Sequence, residues 1–534
     1  MSSPIFLGKK IGGLFTIPAG IITTTVPAIK LIARKIPSIG IITTKSIGLK
    51  PRAGNREPIL AQYGQKSWLN AVGLTNPGAD AFAQELKNLQ LPVNKFLLSS
   101  IFGSTAEEFL KVAQKLQKYV DGFELNLSCP HDQKYGQTVG ENPDIVYRAV
   151  KAIVSLRKPV LIKVSVNIPL RPIIKAATAA GTNGFVAINT VGPRLHLHEG
   201  RPVLTNQLGG LSGKAILPMG LKCIREIRSL SKLPIIGCGG ITNVTDLKNY
   251  QKAGANFFGI GTALAGMTTE EIKKYFALLN KDFQQNTNLT EKKIKTGFIA
   301  QYHPFKIKKK IILTKNLFLL KLNEKFLIKP GQFVFLWLPE VGEKPFSLLE
   351  NQPATFFIKK RGILTKKLAE VSLNTRVYLR GPYGKGFNPK GKILLVGGGT
   401  GICSLLAFAK ANPHCFALLG VKTKKSLPSL NLFKKYCQSL LIASEDGQLG
   451  KKGMATDFLK EVLEHHSFDY CFNCGSEIMV KKAVAIEKKY LAKSKIYSAI
   501  DFLTRCGLGL CGSCTTSKGY RSCVDGPFMN LSQM

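Results

Sequence analysis

Between residue 11 and about residue 280, eight short apolar runs alternate with helical stretches, and most of those runs close on a polar residue or a glycine. Past residue 298 the pattern shifts to short β-rich runs, then to a strand–glycine loop–helix, then to a cysteine-rich end. Together these observations predict an α/β chain: a TIM (β/α)8 barrel followed by an antiparallel β-barrel, a Rossmann-like domain and a metal-cluster segment. The expected boundaries are 1–285 for the first barrel, 286–298 for a linker, 299–390 for the β-barrel, 391–498 for the nucleotide domain and 499–534 for the cluster domain.

A chain of 534 residues is too long for one core, and length suggests roughly three or four domains. With 45% hydrophobic and 20% charged residues it is globular rather than disordered. A net charge of +43 would suit nucleic acid, an acidic membrane surface or anionic small molecules. The lysines are scattered in short runs (308–310, 359–361, 424–425, 488–489) without a nucleic-acid motif, so no nucleic-acid partner is expected and the charge reads as that of a basic proteome. No window offers about 18 uninterrupted apolar residues, so no membrane-spanning helix is expected. The apolar start is broken by Thr16, Pro18 and Gly20 and reads as a first barrel strand rather than a signal peptide. Twelve cysteines in such a chain do not make a disulfide scaffold, and four of them fall in the last thirty residues, which points to a metal cluster in a reducing, cytoplasmic setting.

The barrel strands are expected at 14–19, 41–45, 96–100, 123–127, 160–164, 185–189, 235–238 and 257–261. Helix starts are marked by capping boxes at Ser104 with Glu107 and Thr268 with Glu271, and by Asn142 before Pro143. Gly20, Lys45, Asn126, Cys129, Lys163 and Asn189 fall at or just past strand C-termini, the face on which barrel enzymes build their sites. The last two strands end in CGGI (238–241) and GTAL (261–264), whose backbone N–H groups can reach a phosphate, and GGLSG (209–213) is expected as a third flexible loop. Cys129 stands beside the Asn126 amide in a loop with Ser128 and Pro130, where a thiol can act as a proton-abstracting base; a buried structural cysteine is the plainer alternative.

The stretch 279–297 is polar, lacks periodic apolar spacing and reads as a linker. The runs after it suggest a small antiparallel barrel. KILLVGGGTGICSLLAFA (392–409) is strand, glycine loop and helix, suited to a pyrophosphate at the helix N-terminus. At the end, Cys506, Cys511, Cys514 and Cys523 form C-x4-C-x2-C-x8-C, whose first three ligands have plant-type [2Fe–2S] spacing. Zinc is the alternative for four cysteines, although zinc ribbons favour paired C-x2-C knuckles. Glycines 507, 509 and 512 let the loop wrap closely. Cys223, Cys238, Cys403, Cys415, Cys437, Cys471 and Cys474 lack such spacing and read as packing residues.

Motifs across nearly all of 1–285 resemble class 1 dihydroorotate dehydrogenases: TKSIGLKPRAGN (44–55), LNAVGLTNPG (69–78), ELNLSCPH (124–131), IKVSVN (162–167), INTVG (188–192), GGLSG, GCGGI and GTA. The resemblance implies that Cys129 removes a proton from C5 of dihydroorotate while hydride leaves C6 for FMN, and cysteine rather than serine there points to the soluble class. It implies substrate contacts at Lys45, Asn70, Ala71, Val72, Gly73, Leu74, Asn126, Asn189 and Thr190. FMN contacts are implied at Gly20, Lys45, Ser46, Ser100, Asn126, Lys163, Ile188, Gly213, Gly239, Gly240, Gly261 and Thr262. His131 and Ser100 stand where asparagines are usual, and SCPH also resembles the pyrimidine-reducing domain of dihydropyrimidine dehydrogenase.

PGQF (330–333) and KPFSL (344–348) resemble the FAD-binding barrel of ferredoxin reductases, which implies FAD contacts at Lys344, Pro345, Phe346, Ser347 and Gly362. Lys344 replaces the usual arginine and loses its bidentate fork, and Ile363 stands where a threonine often follows the glycine. FNCGSEIMV (472–480) resembles the strand end beside nicotinamide in these reductases, with Gly397, Gly398, Gly399 and Gly401 at the dinucleotide; NAD is favoured over NADP by resemblance only. The second half therefore resembles the electron-transfer subunit of class 1B dihydroorotate dehydrogenase, fused behind its catalytic partner. The implied function is NAD-dependent oxidation of dihydroorotate to orotate in pyrimidine biosynthesis, with electrons passing from FMN to [2Fe–2S] to FAD to NAD in a homodimer. The alternatives are a dihydropyrimidine dehydrogenase-like reduction of uracil or thymine, and an electron-transfer flavoprotein module.

Overall fold

Short runs of β-branched and aromatic residues that are apolar on both faces belong in parallel strands covered by helices. In the computed structural model, which describes residues 3–127, 137–294, 298–427, 430–500 and 502–534, Ile39–Thr43 and Val160–Val164 are buried along their whole length. They belong to a closed parallel barrel completed by Phe15–Ile17, Phe96–Ile101, Gly122–Asn126, Gly184–Ala187, Ile235–Cys238 and Phe257–Gly259. The last strand pairs with the first. The expected (β/α)8 barrel is present, with strand ends moved by at most two residues.

The intervening helices are amphipathic. In Ala106–Leu116, Phe109, Val112, Ala113 and Leu116 are buried, a three-and-four spacing that turns one stripe onto the strands. Its cap is one residue later than expected. Thr105, not Ser104, accepts from the Glu108 N–H, while the Glu108 carboxylate takes both the N–H and the hydroxyl of Ser104. Thr268 with Glu271 does form a capping box, and the Asn142 side chain caps Pro143–Val154.

The chain separates into two compact units, 1–299 with 508–515, and 300–507 with 516–534. In the first unit an N-terminal hairpin, Ile5–Phe6 with Lys9–Lys10, closes the barrel floor. Phe6 is fully buried and meets Phe96 and Phe257 edge-on at 4.9 and 4.8 Å, above a core that includes Ile11, Ile41, Leu98, Leu161 and Ile236. A four-stranded antiparallel sheet is added to the barrel, with strands ordered Val191–Leu195, Leu208–Gly213, Ser67–Asn70 and Leu60–Gly64. The expected flexible GGLSG loop is thus a strand. Its glycines are needed for close approach: a Cβ on Gly213, at φ +87°, would stand 2.2 Å from the Lys66 carbonyl.

The stretch read as a linker carries structure as well. Thr269–Gln285 is one helix, and Leu289–Lys293 forms a short second one. The buried Asp282 carboxylate ties them together by accepting from the Thr287 hydroxyl at 2.6 Å and from the Leu289 and Thr290 N–H groups at 2.8 Å. Polar residues that look like linker are here satisfied locally.

In the second unit, an antiparallel sheet of seven strands spans residues 303–383. A second sheet is parallel in the order Lys451–Lys452, Ser439–Ser444, Phe416–Val421, Ile393–Gly398, Tyr470–Cys474, Ile496–Ala499, with Met529–Asn530 added antiparallel at the edge. Strand order reverses between Ile393–Gly398 and Tyr470–Cys474, which makes their C-terminal ends a topological switch point.

Candidate active site

The barrel strands end in a cavity of about 920 Å³, open solvent at its mouth included. Of the residues expected there, Gly20, Lys45, Ser46, Asn70, Val72, Leu74, Asn126, Asn189, Thr190 and Thr262 line it. Ala19, Ile21, Ile59, Leu60 and Ser212 line it too, as do Leu510 and Cys511 of the 508–515 segment. Ser212 and Leu60 arrive on the added antiparallel sheet, whose pairing no local pattern announces.

One hydrogen-bonded chain crosses the cavity floor. The Ser100 and Ser46 hydroxyls meet at 2.8 Å, Asn126 Nδ2 donates to Ser46 Oγ at 3.1 Å, and Asn189 Nδ2 donates to Asn126 Oδ1 at 3.0 Å. Asn189 Oδ1 accepts the Thr190 N–H at 2.9 Å. Each link fixes the rotamer of the next, so the amides are presented in set orientations. Ser100, the residue departing from the usual asparagine, holds Ser46 rather than facing the cavity.

Two lysines are held at this end of the barrel, Lys45 at 9% and Lys163 at 4% exposure. Lys163 Nζ is 3.7 Å from Oε1 of the buried Glu124. The 70–74 loop is shaped from behind: Asn70 Nδ2 donates to the Gly210 carbonyl, Asn55 Nδ2 to Ala71, and Asn76 Nδ2 to Leu74. Ala71 and Gly73 belong to this loop but are not part of the cavity lining.

In the glycine loops after the last two strands, Gly239 and Gly240 have φ of +121° and +77°, and a Cβ on Gly240 would stand 2.7 Å from the Gly213 carbonyl. Ile188 exchanges backbone and thiol hydrogen bonds with Cys238. Gly261 caps the turn Thr262–Leu264. Three residues not foreseen from sequence brace these loops. The Tyr250 hydroxyl donates to the Gly239 carbonyl at 2.7 Å, Asp246 accepts from the N–H and hydroxyl of Thr242 at 2.9 Å, and Lys214 pairs with Asp246 at 2.6 Å. Backbone donors, buried cations, a hydroxyl at Thr262 and an amide-lined floor together fit a flavin mononucleotide beside a small planar acid.

Cys129, with Ser128 and His131, lies outside the described residues. The strand leading to it ends at Asn126, and the Leu127 N–H reaches the Lys163 carbonyl at 3.4 Å. Two other thiols of the barrel are poor bases, because burial pushes Cys238 up to about 11 and Cys223 up to about 12.

In the second unit, Lys344, Pro345 and Phe346 lie on Gly342–Phe346, and Ser347 follows with its hydroxyl 2.8 Å from that of Ser404. Gly362 starts the helix Ile363–Glu370, where its N–H donates to the Thr365 hydroxyl. Gly397 and Gly398 end the strand Ile393–Gly398, and Gly399 to Gly401 form the turn into Ile402–Ala411. A Cβ on Gly401 would stand 2.5 Å from the Cys474 carbonyl, so the glycine turn and the FNCG strand end meet at the switch point.

Cys506, Cys511, Cys514 and Cys523 are each at most 5% exposed. Gly507, Gly509 and Gly512 all have positive φ, between +69° and +76°. Among the described residues no group of three or more His, Cys, Asp or Glu side chains stands ready to hold a metal ion, so the iron–sulfur expectation for these four cysteines rests on their spacing.

Residues 3–277 match the family model for dihydroorotate dehydrogenase, and residues 504–534 match that for the iron–sulfur cluster binding domain of dihydroorotate dehydrogenase B. Among curated relatives, the dihydroorotate dehydrogenase B (NAD(+)) catalytic subunit of Methanocaldococcus jannaschii is 41% identical over 269 residues, covering 49% of this chain and 83% of the relative. That of Pyrococcus abyssi is 38% identical over 264 residues, covering 48% and 85%. A chain of a solved NADH-dependent reduced ferredoxin-NADP oxidoreductase aligns at 28% identity over 43% of this chain and 88% of its own, with a TM-score of 0.39, too low to carry a structural argument.

Proposed function

We infer from its membership of the dihydroorotate dehydrogenase family, to which this chain belongs, that it oxidises dihydroorotate to orotate and passes the electrons to NAD. One observation carries the reading. The chain Ser100–Ser46–Asn126–Asn189–Thr190 presents fixed amide and hydroxyl groups on a cavity floor that also holds Lys45. Amides match the edge of a pyrimidine ring, and a buried cation matches its carboxylate. An uncharged pyrimidine such as uracil would leave Lys45 without that partner.

Cys129 is proposed as the base that takes the C5 proton. Asn126 and Asn189, with the 70–74 loop, orient the ring, and Lys45 holds the carboxylate. FMN would supply a hydride acceptor for C6, a [2Fe–2S] cluster a one-electron carrier, and FAD a two-electron donor to NAD. Lys163, Gly239, Gly240, Gly261 and Thr262 are proposed to hold FMN; Lys344 to Ser347 and Gly362 to hold FAD; and the 397–401 turn to hold the dinucleotide. The cluster is assigned to Cys506, Cys511, Cys514 and Cys523. The antiparallel sheet and the switch-point sheet of the second unit support the division at about residue 390. A cytoplasmic setting and a homodimer are part of the same reading. Among the described residues no helix is long and apolar enough to cross a membrane.

Anaerobic stopped-flow mixing of cofactor-replete protein with dihydroorotate tests this. Flavin bleaching followed by NADH formation is expected, and Cys129→Ala should abolish the bleaching. Bleaching by dihydrouracil alone would overturn the assignment.

A further inference from the structure

Inside the barrel the fold keeps a buried carboxylate, Glu124, beside a buried lysine. Strand pairing sets Glu124 beside Leu161 and Asn126 beside Lys163. Leu161 belongs to the apolar core under the cavity and Asn126 lines the cavity itself, so Glu124 and Lys163 stand where the dry barrel interior meets the site. Glu124 is 1% exposed. Among the described residues no hydrogen bond reaches its Oε1, and the Lys163 Nζ at 3.7 Å is an ion pair without hydrogen-bond geometry.

Removing a carboxylate from water is costly, and a glutamine would fill the same volume without that cost. What glutamine lacks is the charge, and the charge faces Lys163. Cys238, a further titratable group beside them, donates its thiol to the Ile188 carbonyl at 3.3 Å and adds no charge at neutral pH. We propose that Glu124 is a positioning residue that restrains Lys163 and offsets part of its positive charge, setting how strongly the cavity favours reduced over oxidised FMN. The proposal rests on the flavin reading above. A Lys163 whose charge is less offset would hold the anionic reduced flavin too firmly for electrons that must go on to a nicotinamide.

The test needs no substrate. Oxidised and reduced FMN are equilibrated anaerobically with the full-length protein, and free FMN is separated by ultrafiltration and measured apart from FAD by chromatography. Glu124→Gln is expected to shift the ratio of the two dissociation constants about tenfold toward the reduced form, equivalent to a rise of about 30 mV in the two-electron potential. Lys163→Gln should move it the other way, and adding Glu124→Gln to Lys163→Gln should produce no further change. Glu124→Asp, which keeps the charge but draws it back, should give a smaller shift of the same sign if the glutamine variant does not fold. A ratio within twofold of wild type for Glu124→Gln, or an undiminished shift in the Lys163→Gln background, overturns the proposal. Failure of dihydroorotate to bleach the wild-type flavin would sink the substrate assignment and leave this ratio untouched.

Discussion

Replacing Arg380 with methionine should strip the seven-stranded antiparallel sheet of its one fully buried cation pair among the described residues. Arg380 and Glu343 are each 1% exposed, bridged by Nη2–Oε1 at 2.5 Å and Nε–Oε2 at 2.9 Å. The Tyr302 hydroxyl donates to Glu343 at 2.7 Å, and burial, reinforced by that carboxylate, keeps the phenol protonated. The guanidinium lies 4.0 Å above the Phe335 ring and donates to the Cys506 carbonyl at 3.1 Å. Methionine fills the volume but leaves Glu343 buried and uncompensated, a loss of about 3–5 kcal/mol. At a urea slope of about 3 kcal/mol/M, the unfolding midpoint of this unit should fall by about 1–1.7 M. Trp337, packed 4.7 Å from Tyr302 in the same unit, reports the transition by fluorescence. Arg380→Met with Glu343→Leu removes both charges and should recover most of the loss. A single variant within about 0.2 M of wild type, or a double variant no better than the single, would refute the electrostatic account.

Glu487 is fully buried beneath the parallel sheet of the second unit, where burial raises its carboxyl to about 7 against a hydrogen bond from Asn473 at 2.7 Å. A folded value above the unfolded 4.5 means that the folded state holds the proton longer, so its contribution is complete below about pH 4.5 and is lost as pH rises through 7. The loss should be about 3 kcal/mol in the urea midpoint series, and Glu487→Gln should flatten it. In the site, Asn126→Ala breaks two links of the floor network and should lower kcat/KM for dihydroorotate by about 10–100-fold with the fold intact by circular dichroism. Phe6→Ala empties the barrel floor and should cost about 3–5 kcal/mol by thermal or urea unfolding, with little effect on KM.

Features that depend on neighbours in the chain were legible in the sequence. The eight strands, the caps at Asn142 and Thr268, the glycine turn after Ile393–Gly398 and the cysteine spacing all follow from local pattern, because apolar runs, caps and turns are decided within a few residues. Ten of the expected site residues line the cavity, since the C-terminal rim of a parallel barrel is where strand-end residues must converge. Tertiary structure alone decided the rest. The pairing of Ser67–Asn70 with Leu208–Gly213 joins residues about 140 positions apart, and its glycines look like a loop until a facing backbone requires them. The same holds for Ser46 with Ser100, Glu343 with Arg380, and Glu124 with Lys163. A buried polar side chain acquires its meaning from the partner that desolvation forces it to find, and that partner is chosen by the fold, not by its place in the chain.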